Sequence, residues 1–191
     1  MALKRFPLEQ YASLELNQVE FPKNGMVVSQ TPLGAEFTKN APCENGMWVL
    51  ADKSLGTIGS ASKVGAKPMG IVYTSEKEYD NNHYGLKTFG RKVEGDMPRV
   101  GIFSLGDTVT TNCLQFDDTE FAATDDQTAE EVLFEALEDF ATTPVYVVQV
   151  AGSPVPKLTL TAPIVGCYGK VTKFYTVPNG EKGVKYQIVQ L

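Results

Sequence analysis

The stretch KVGAKPMGIVYTSEKEYDNNHYGLKTFGRKVEGDMPRVGIFSLGDTVTTNCLQF, residues 63–116, decides the fold class of this chain. It holds two apolar runs, residues 69–73 and 99–103, which a long polar excursion separates. Each run is too short and too rich in β-branched residues for a helix of useful length, so both are predicted to be strands. The stretch contains no catalytic constellation, and a β-rich structural or binding module is therefore the expected class.

The rest of the chain adds one helix and a hairpin to this pattern. Residues 128–131, TAEE, form a capping box, and apolar residues then recur at helical spacing as far as Phe140. Near the end, residues 168–177 and 184–188 flank a Pro-Asn-Gly turn, which predicts a hairpin. We therefore expect a mainly-β (β-rich α+β) fold: a small β-barrel or β-tulip-like domain with one amphipathic helix and a C-terminal hairpin.

Residues 1–24 are predicted to be an extended N-terminal arm, and residues 25–191 a β-rich domain with a weak internal boundary near 117–127. Apolar and polar residues alternate along the arm with the period of a strand. The arm carries more apolar surface than a free tail should, so it is expected to pack on its own domain or on a neighbouring molecule. The predicted partner-binding residues are Leu3, Phe6, Tyr11, Leu14 and Leu16.

Charge is unevenly distributed along the chain. The formal net charge of -6 argues against a nucleic-acid partner, which requires basic surface. Residues 117–139 hold ten acidic residues and no basic one, leaving thirteen acidic against seventeen basic residues elsewhere. The acidic segment is either a solvated helix face with its lead-in loop or a docking patch for a basic partner. The lysines around the hairpin either protect an edge strand or seat the acidic helix of a neighbouring copy; they are Lys170, Lys173, Lys182 and Lys185.

The residue inventory predicts no cofactor and no metal site. Cys43, Cys113 and Cys167 are far apart in the sequence and form no metal-ligand spacing, so buried free thiols in a reducing compartment are expected. His83 is the single histidine, which excludes a histidine-based triad within one chain. The acidic segment also lacks the spaced carboxylates of a calcium loop. No catalytic residue is therefore assigned.

A small carboxylate-dependent hydrolase stays open as an alternative. Such an enzyme needs two carboxylates converging in a cleft with different pKa values. The candidates are the acids near predicted strand ends: Asp96, Asp107, Asp117 and Asp118. An aspartate at a strand end more often forms a turn.

The sequence also predicts neither a membrane partner nor secretion. The longest apolar run, residues 145–150, is far shorter than the ~20 residues that cross a bilayer. The first residues, MALKRFP, carry a basic pair with no apolar region behind it, which is not the pattern of a secretory signal. We expect a product made and kept in a cytosol unless it leaves by lysis.

The order of three short motifs resembles the sequence pattern of a known family. Residues 46–50 (GMWVL) are followed by a turn, then by 67–72 (KPMGIV), then by a strand that ends in Leu-Gly-Asp at Asp107. This order resembles the tailed-bacteriophage head decoration proteins of the lambda type, over roughly residues 41–116. The chain is longer than that family pattern, since it adds the acidic helix and the C-terminal hairpin.

The resemblance implies a virion structural protein that stabilises the capsid exterior. Its expected partners are the major capsid protein and further copies of itself, as a homotrimer, with an extended N-terminal segment that joins the capsid sheet. It implies location on the capsid surface of the virion and in the host cytoplasm during assembly. A tail, baseplate or fibre module is the structural alternative, with the C-terminal hairpin mediating oligomerisation.

Overall fold

The computed structural model describes residues 3–6, 19–23, 25–74, 92–124, 126–176 and 181–191, and this part of the chain forms two β-sheets and one α-helix. The helix, α1, is Ala129–Glu138, and a short 3-10 turn covers Lys53–Leu55. In chain order the strands are β1 (Leu3–Arg5), β2 (Val19–Glu20), β3 (Val27–Val28), β4 (Trp48–Leu50), β5 (Met69–Val72), β6 (Val100–Ile102), β7 (Thr108–Thr111), β8 (Gln115–Asp117), β9 (Tyr146–Val150), β10 (Ser153–Thr159), β11 (Tyr168–Thr176) and β12 (Lys182–Gln190).

The larger sheet has eight strands in the order β1-β8-β10-β9-β11-β12-β7-β2. All neighbouring pairs are antiparallel except β8 and β10, which run parallel with Lys157 opposite Gln115. The predicted C-terminal hairpin is confirmed as β11 and β12, and it lies inside the sheet, between β9 and β7. Both long edges of the hairpin are therefore already paired.

The smaller sheet has the order β3-β6-β5-β4, and all its pairs are antiparallel. Gly101 of β6 leaves room for the Phe21 ring, which lies where a side chain at that position would begin. Phe21 also meets Tyr73 edge-on, with ring centroids 5.6 Å apart. The chain that leaves β2 on the larger sheet thus packs directly onto the smaller one.

The single described α-helix begins with the predicted capping box. The Thr128 hydroxyl accepts from the Glu131 amide at 3.3 Å, and the Glu131 carboxylate accepts from the Thr128 amide at 2.7 Å. These bonds satisfy backbone N–H groups that the first turn of a helix leaves without partners. The buried residues of α1 are Ala129, Leu133 and Leu137, whose spacing places them on one side of the helix.

The larger of the two hydrophobic clusters among the described residues joins both sheets and the helix. Trp48 of the smaller sheet and Tyr186 of the larger sheet are almost completely buried, and the indole N–H donates to the Tyr186 hydroxyl at 2.9 Å. Trp48 therefore packs in the core of the chain. The same cluster includes residues before and after the predicted boundary at 117–127, among them Ile71 and Leu133.

The mainly-β prediction with one helix is confirmed, but no closed barrel is formed by the residues that the structure describes. In the larger sheet β1 and β2 are the terminal strands, and in the smaller sheet β3 and β4 are. The expected barrel would require the two terminal strands to pair, whereas here each terminal strand of the larger sheet has one neighbour. Within the described ranges, no helix has the length and apolar character needed to cross a membrane.

Candidate interaction surfaces

The N-terminal segment supplies both edge strands of the larger sheet. At one edge β1 pairs with β8, with Leu3 opposite Asp117. At the other edge β2 pairs with β7, with Val19 opposite Val109. Neither β1 nor β2 has a second strand partner among the described residues. An edge strand presents unpaired N–H and C=O groups and is a template for adding a strand from another chain.

The backbone pattern shows which groups of β1 face this open edge. The Phe6 N–H donates to the carbonyl of Leu114, the residue before β8, at 2.8 Å, so the backbone N–H of Phe6 faces the neighbouring strand. In an antiparallel pair the bonded and non-bonded positions alternate. Lys4 therefore turns its backbone groups toward β8, and Leu3 and Arg5 turn theirs toward the open edge.

The five predicted partner-binding residues have different outcomes. Leu3 is 41% exposed and lies on the edge strand, where a partner can reach it. Phe6 is completely buried in the core of its own chain and meets Phe134 edge-on at 5.8 Å, so it is not accessible to a partner in this structure. Tyr11, Leu14 and Leu16 lie outside the described residues.

A polar groove of about 400 Å³ lies beside β1. The Arg5 guanidinium lines it and donates to the Glu44 carboxylate at 3.1 Å, while the buried Arg5 Nε has no hydrogen-bond partner. Glu36 lines the same groove and accepts from the Ser60 amide at 3.0 Å. Because Arg5 belongs to both features, a strand arriving at the edge would place side chains next to this groove. Nothing in the sequence links Arg5 to Glu44, so sequence reasoning missed the groove.

The three cysteines are free and buried, as predicted. Burial raises the pKa of the Cys113 and Cys167 thiols to about 12 and raises the pKa of Cys43 as well. A thiol with so high a pKa carries almost no thiolate at neutral pH and is a poor nucleophile. Within the described ranges, no group of three or more histidine, cysteine, aspartate or glutamate side chains has the arrangement of a metal site.

The candidate aspartates Asp96, Asp117 and Asp118 each have a partner that gives them a structural role. The Asp96 carboxylate accepts from the Val93 amide at 2.9 Å, and Asp118 forms an ion pair with Lys4 at 3.5 Å. The Thr119 hydroxyl and amide donate to Asp117 and lower the pKa of its carboxyl. The Asp96 and Asp117 contacts are typical of residues that fix turns, whereas the Asp118 ion pair joins β1 to the residue after β8.

Asp107 differs because its carboxylate is inaccessible. The Ser104 amide donates to Oδ2 at 2.6 Å, and the buried Oδ1 has no hydrogen-bond partner. Burial raises the pKa of this carboxyl, although the Ser104 N–H acts in the opposite direction. A buried acid that closes a four-residue turn and has no access to solvent is suited to holding the β6–β7 connection rather than to acting on a substrate.

Comparison with protein-family models, with curated proteins and with solved structures found no match to this chain.

Proposed function

We propose that this chain is a virion structural protein that binds the exterior of a tailed-phage capsid as a decoration, or cement, protein. The observation that carries the proposal is the placement of β1 and β2: one N-terminal segment forms both edges of an eight-stranded sheet. Strand addition at such an edge gives main-chain hydrogen bonds to a partner without any catalytic group. In this role the chain acts on the capsid surface and meets the capsid in the host cytoplasm during assembly.

The order of the three short motifs that resembles head decoration proteins supports the same role. Its three apolar runs are β4, β5 and β6, and they are hydrogen-bonded neighbours in the smaller sheet. The three runs therefore lie side by side in one sheet, while the end of the same stretch supplies β7 and β8 to the larger sheet. The larger sheet also contains the added hairpin and has β1 and β2 at its edges.

In the proposed assembly the major capsid protein is the partner at the β1 edge. Leu3 and Arg5 present their outward backbone groups, and the groove beside Arg5 accepts side chains from the added strand. The proposal assigns no enzymatic step, no cofactor, no nucleic acid and no membrane to this protein. Self-association, expected as a homotrimer, would place several such edges on one capsid site.

The direct test is to mix the purified chain with capsids that lack it and to image the particles by electron cryomicroscopy. Added density on the outer shell is the expected result. Density on a tail or baseplate, with a bare shell, would instead support the tail, baseplate or fibre alternative. Particles without added density at any position would overturn the proposal.

A single substitution tests the β1 edge. Leu3→Pro removes an N–H that faces the open edge, while the bonds between β1 and β8 stay in place, because proline is tolerated on an edge strand where its nitrogen faces solvent. We expect Leu3→Pro to fold but to lose capsid binding, and the control Leu3→Val to keep both. Unchanged capsid binding by Leu3→Pro would exclude this edge as the contact.

A further inference from the structure

One face of the larger sheet carries a group of lysines. Val171 of β11 is buried in the core, so its neighbour Lys170 points to the opposite face, because side chains alternate along a strand. Lys185 lies between two buried residues of β12 and points the same way. Lys173 is the register partner of Lys185, so the two lie side by side on that face. We call the surface of Lys170, Lys173 and Lys185 the lysine face.

The lysine face surrounds an aromatic centre. Tyr146 is the register partner of Lys170, and Tyr168 pairs with Val148 of the same outward row. The two tyrosine rings meet edge-on with centroids 5.9 Å apart, and both side chains are half-buried. Tyrosines at the centre and charges at the rim are typical of protein interfaces.

The lysines have no anionic partner within the described part of the chain. The ion pairs found there join Lys4 to Asp118, Arg5 to Glu44 and Lys157 to Glu120. Two like charges directly opposite each other on neighbouring strands destabilise a sheet. The pair of Lys173 and Lys185 therefore points to an anionic partner from outside this chain. The Lys173 ammonium lies 5.5 Å from the centroid of the Tyr175 ring, a neutral aromatic contact that leaves its charge without an anion. The fourth lysine of the predicted cluster, Lys182, is apart from the others, because its ammonium lies over the Phe174 ring, which packs against Phe134 of α1.

The acidic helix lies on the other side of the same sheet. Leu133 and Leu137 of α1 belong to the core cluster that contains Val171, and Phe134 stacks on Phe174 with centroids 5.5 Å apart. The sheet thus separates α1 from the lysine face, and the two cannot meet within one copy. The acidic groups cannot neutralise the lysines unless a second copy is present.

The exposed side of α1 is a continuous acidic stripe. Glu131, Glu135 and Glu138 follow each other at spacings of four and three residues, which places them along one side of the helix. No basic residue occurs between positions 117 and 156. We call these three glutamates the acidic stripe.

The two surfaces are both compact as well as opposite in charge. A β-bulge between Val171 and Lys173 sets Lys170 and Lys173 opposite Gln187 and Lys185, which are two residues apart. The two lysines are therefore about 7 Å apart along the sheet at ~3.3 Å per residue. Carboxylates one helical turn apart on the acidic stripe are about 5.4 Å apart along the helix axis and can contact both lysines together.

We propose that copies of this chain associate head to tail, with the acidic stripe of one copy seated on the lysine face of the next. The two surfaces differ and lie on opposite sides of the sheet, so the contact is heterologous and forms a ring where the rotation closes. This inference does not rest on the proposed capsid role, because it concerns only contacts between copies of the chain.

Sedimentation equilibrium of the full chain tests the contact. At low salt we expect a mass that rises with concentration above the monomer mass of 20.8 kDa and returns toward it in about 1 M salt, where the screening length is ~3 Å. Lys170→Glu with Lys173→Glu should weaken association about tenfold or more. The control Lys39→Glu with Lys53→Glu changes the net charge equally at exposed sites elsewhere and should leave association unchanged.

A gain in stability separates lost association from unfolding. Lys173→Glu replaces a repulsive cross-strand pair with an attractive one. At a protein concentration low enough for the wild type to be monomeric, the sheet variant (Lys170→Glu with Lys173→Glu) should therefore unfold at a higher urea concentration than the wild type. The helix variant, Glu135→Lys with Glu138→Lys, places positive charge in the last turns of α1, where the helix dipole favours it. We expect both variants to be folded monomers.

Mixing the two variants gives the decisive result. In the sheet variant both the lysine face and the acidic stripe are acidic, and in the helix variant both are basic. Neither variant should therefore bind itself. Each surface of one variant, however, complements a surface of the other. We expect the equimolar mixture to regain association at low salt, in strictly alternating complexes. Any of three results would overturn the proposal. They are a wild type that is monomeric in low salt at high concentration, association that resists both salt and charge reversal, and a mixture of variants that stays monomeric.

Discussion

Replacing Phe6 by alanine should remove much of the stability of this protein, although position 6 lies in a segment that the sequence predicts to be an arm. The ring is completely buried and meets Phe134 edge-on. Truncating a buried phenylalanine costs about 3–5 kcal/mol through lost burial and the cavity that remains. Folded domains are stable by only about 5–15 kcal/mol, so the loss is a large fraction of the total.

The effect is measured by urea unfolding and by the melting temperature. For a chain of this size, 1 kcal/mol corresponds to ~2–4 °C, so Phe6→Ala should lower the melting temperature by roughly 6–20 °C. The matched control is Leu3→Ala, three residues earlier on the exposed edge, where we expect a change within about 0.5 kcal/mol. The two variants separate the anchor of the segment from its exposed strand.

A Phe6→Ala variant that unfolds within about 1 kcal/mol of the wild type would refute this reasoning. In that case β1 would be detached in solution, and Phe6 would be available to a partner as the sequence first indicated. The same result would undermine the assignment of the β1 edge as a preformed binding template.

Three further predictions concern buried polar groups. Tyr186→Phe should cost about 1–3 kcal/mol in urea unfolding, because the Trp48 indole N–H loses its buried acceptor. Burial raises the pKa of the Asp107 carboxyl in the folded state above its unfolded value of ~3.9, so the folded state binds this proton more tightly. The stability of the wild type relative to Asp107→Asn should therefore fall as the pH rises above ~3.9. Melting curves from pH 3 to 8 measure this difference, and a stability difference in favour of the wild type that grows with pH would contradict the prediction. The three cysteines should resist a thiol reagent at pH 8 in the native state and react fully in urea; rapid native labelling would show that burial does not protect them.

The elements that could be predicted from the sequence are those whose signals are local. The capping box of α1 depends on residues three positions apart, and the hairpin depends on alternation on both sides of one turn. The core position of Trp48 follows the general tendency of large aromatic residues to pack in the core. In each case neighbouring residues in the chain supply the information that the structure uses.

Features that depend on distant residues could not be predicted. Leu158 and Leu160 alternate with threonines, a pattern typical of a strand with one face in water. In the structure Thr159 is buried, and its hydroxyl donates to the Glu120 carboxylate, while Leu160 lies beyond the end of β10. The pattern misleads here because an acid thirty-nine positions earlier in the chain supplies the buried hydroxyl with a partner.

The arm shows the same limitation. Alternation correctly indicated extended backbone at both described ends of the N-terminal segment, β1 and β2. It carried no information about which sheet edge each strand would join, because register and strand order are set by the packing of the whole sheet. The groove at Arg5 and Glu44 follows from that placement and could not be anticipated without it.

The two proposed contacts use separate parts of the larger sheet, and this separation makes an assembly role self-consistent. Strand addition uses the backbone of β1 at one edge, whereas head-to-tail association uses side chains of β11 and β12 in the middle of the sheet. Since β11 already pairs with β9 and β12 with β7, the two hairpin strands can contact a partner only through side chains on a face of the sheet. A copy held by its face therefore keeps its β1 edge open, so binding between copies does not compete with binding to a capsid. Leu3→Pro should accordingly leave association unchanged, and charge reversal of the lysine face should leave the β1 edge able to pair.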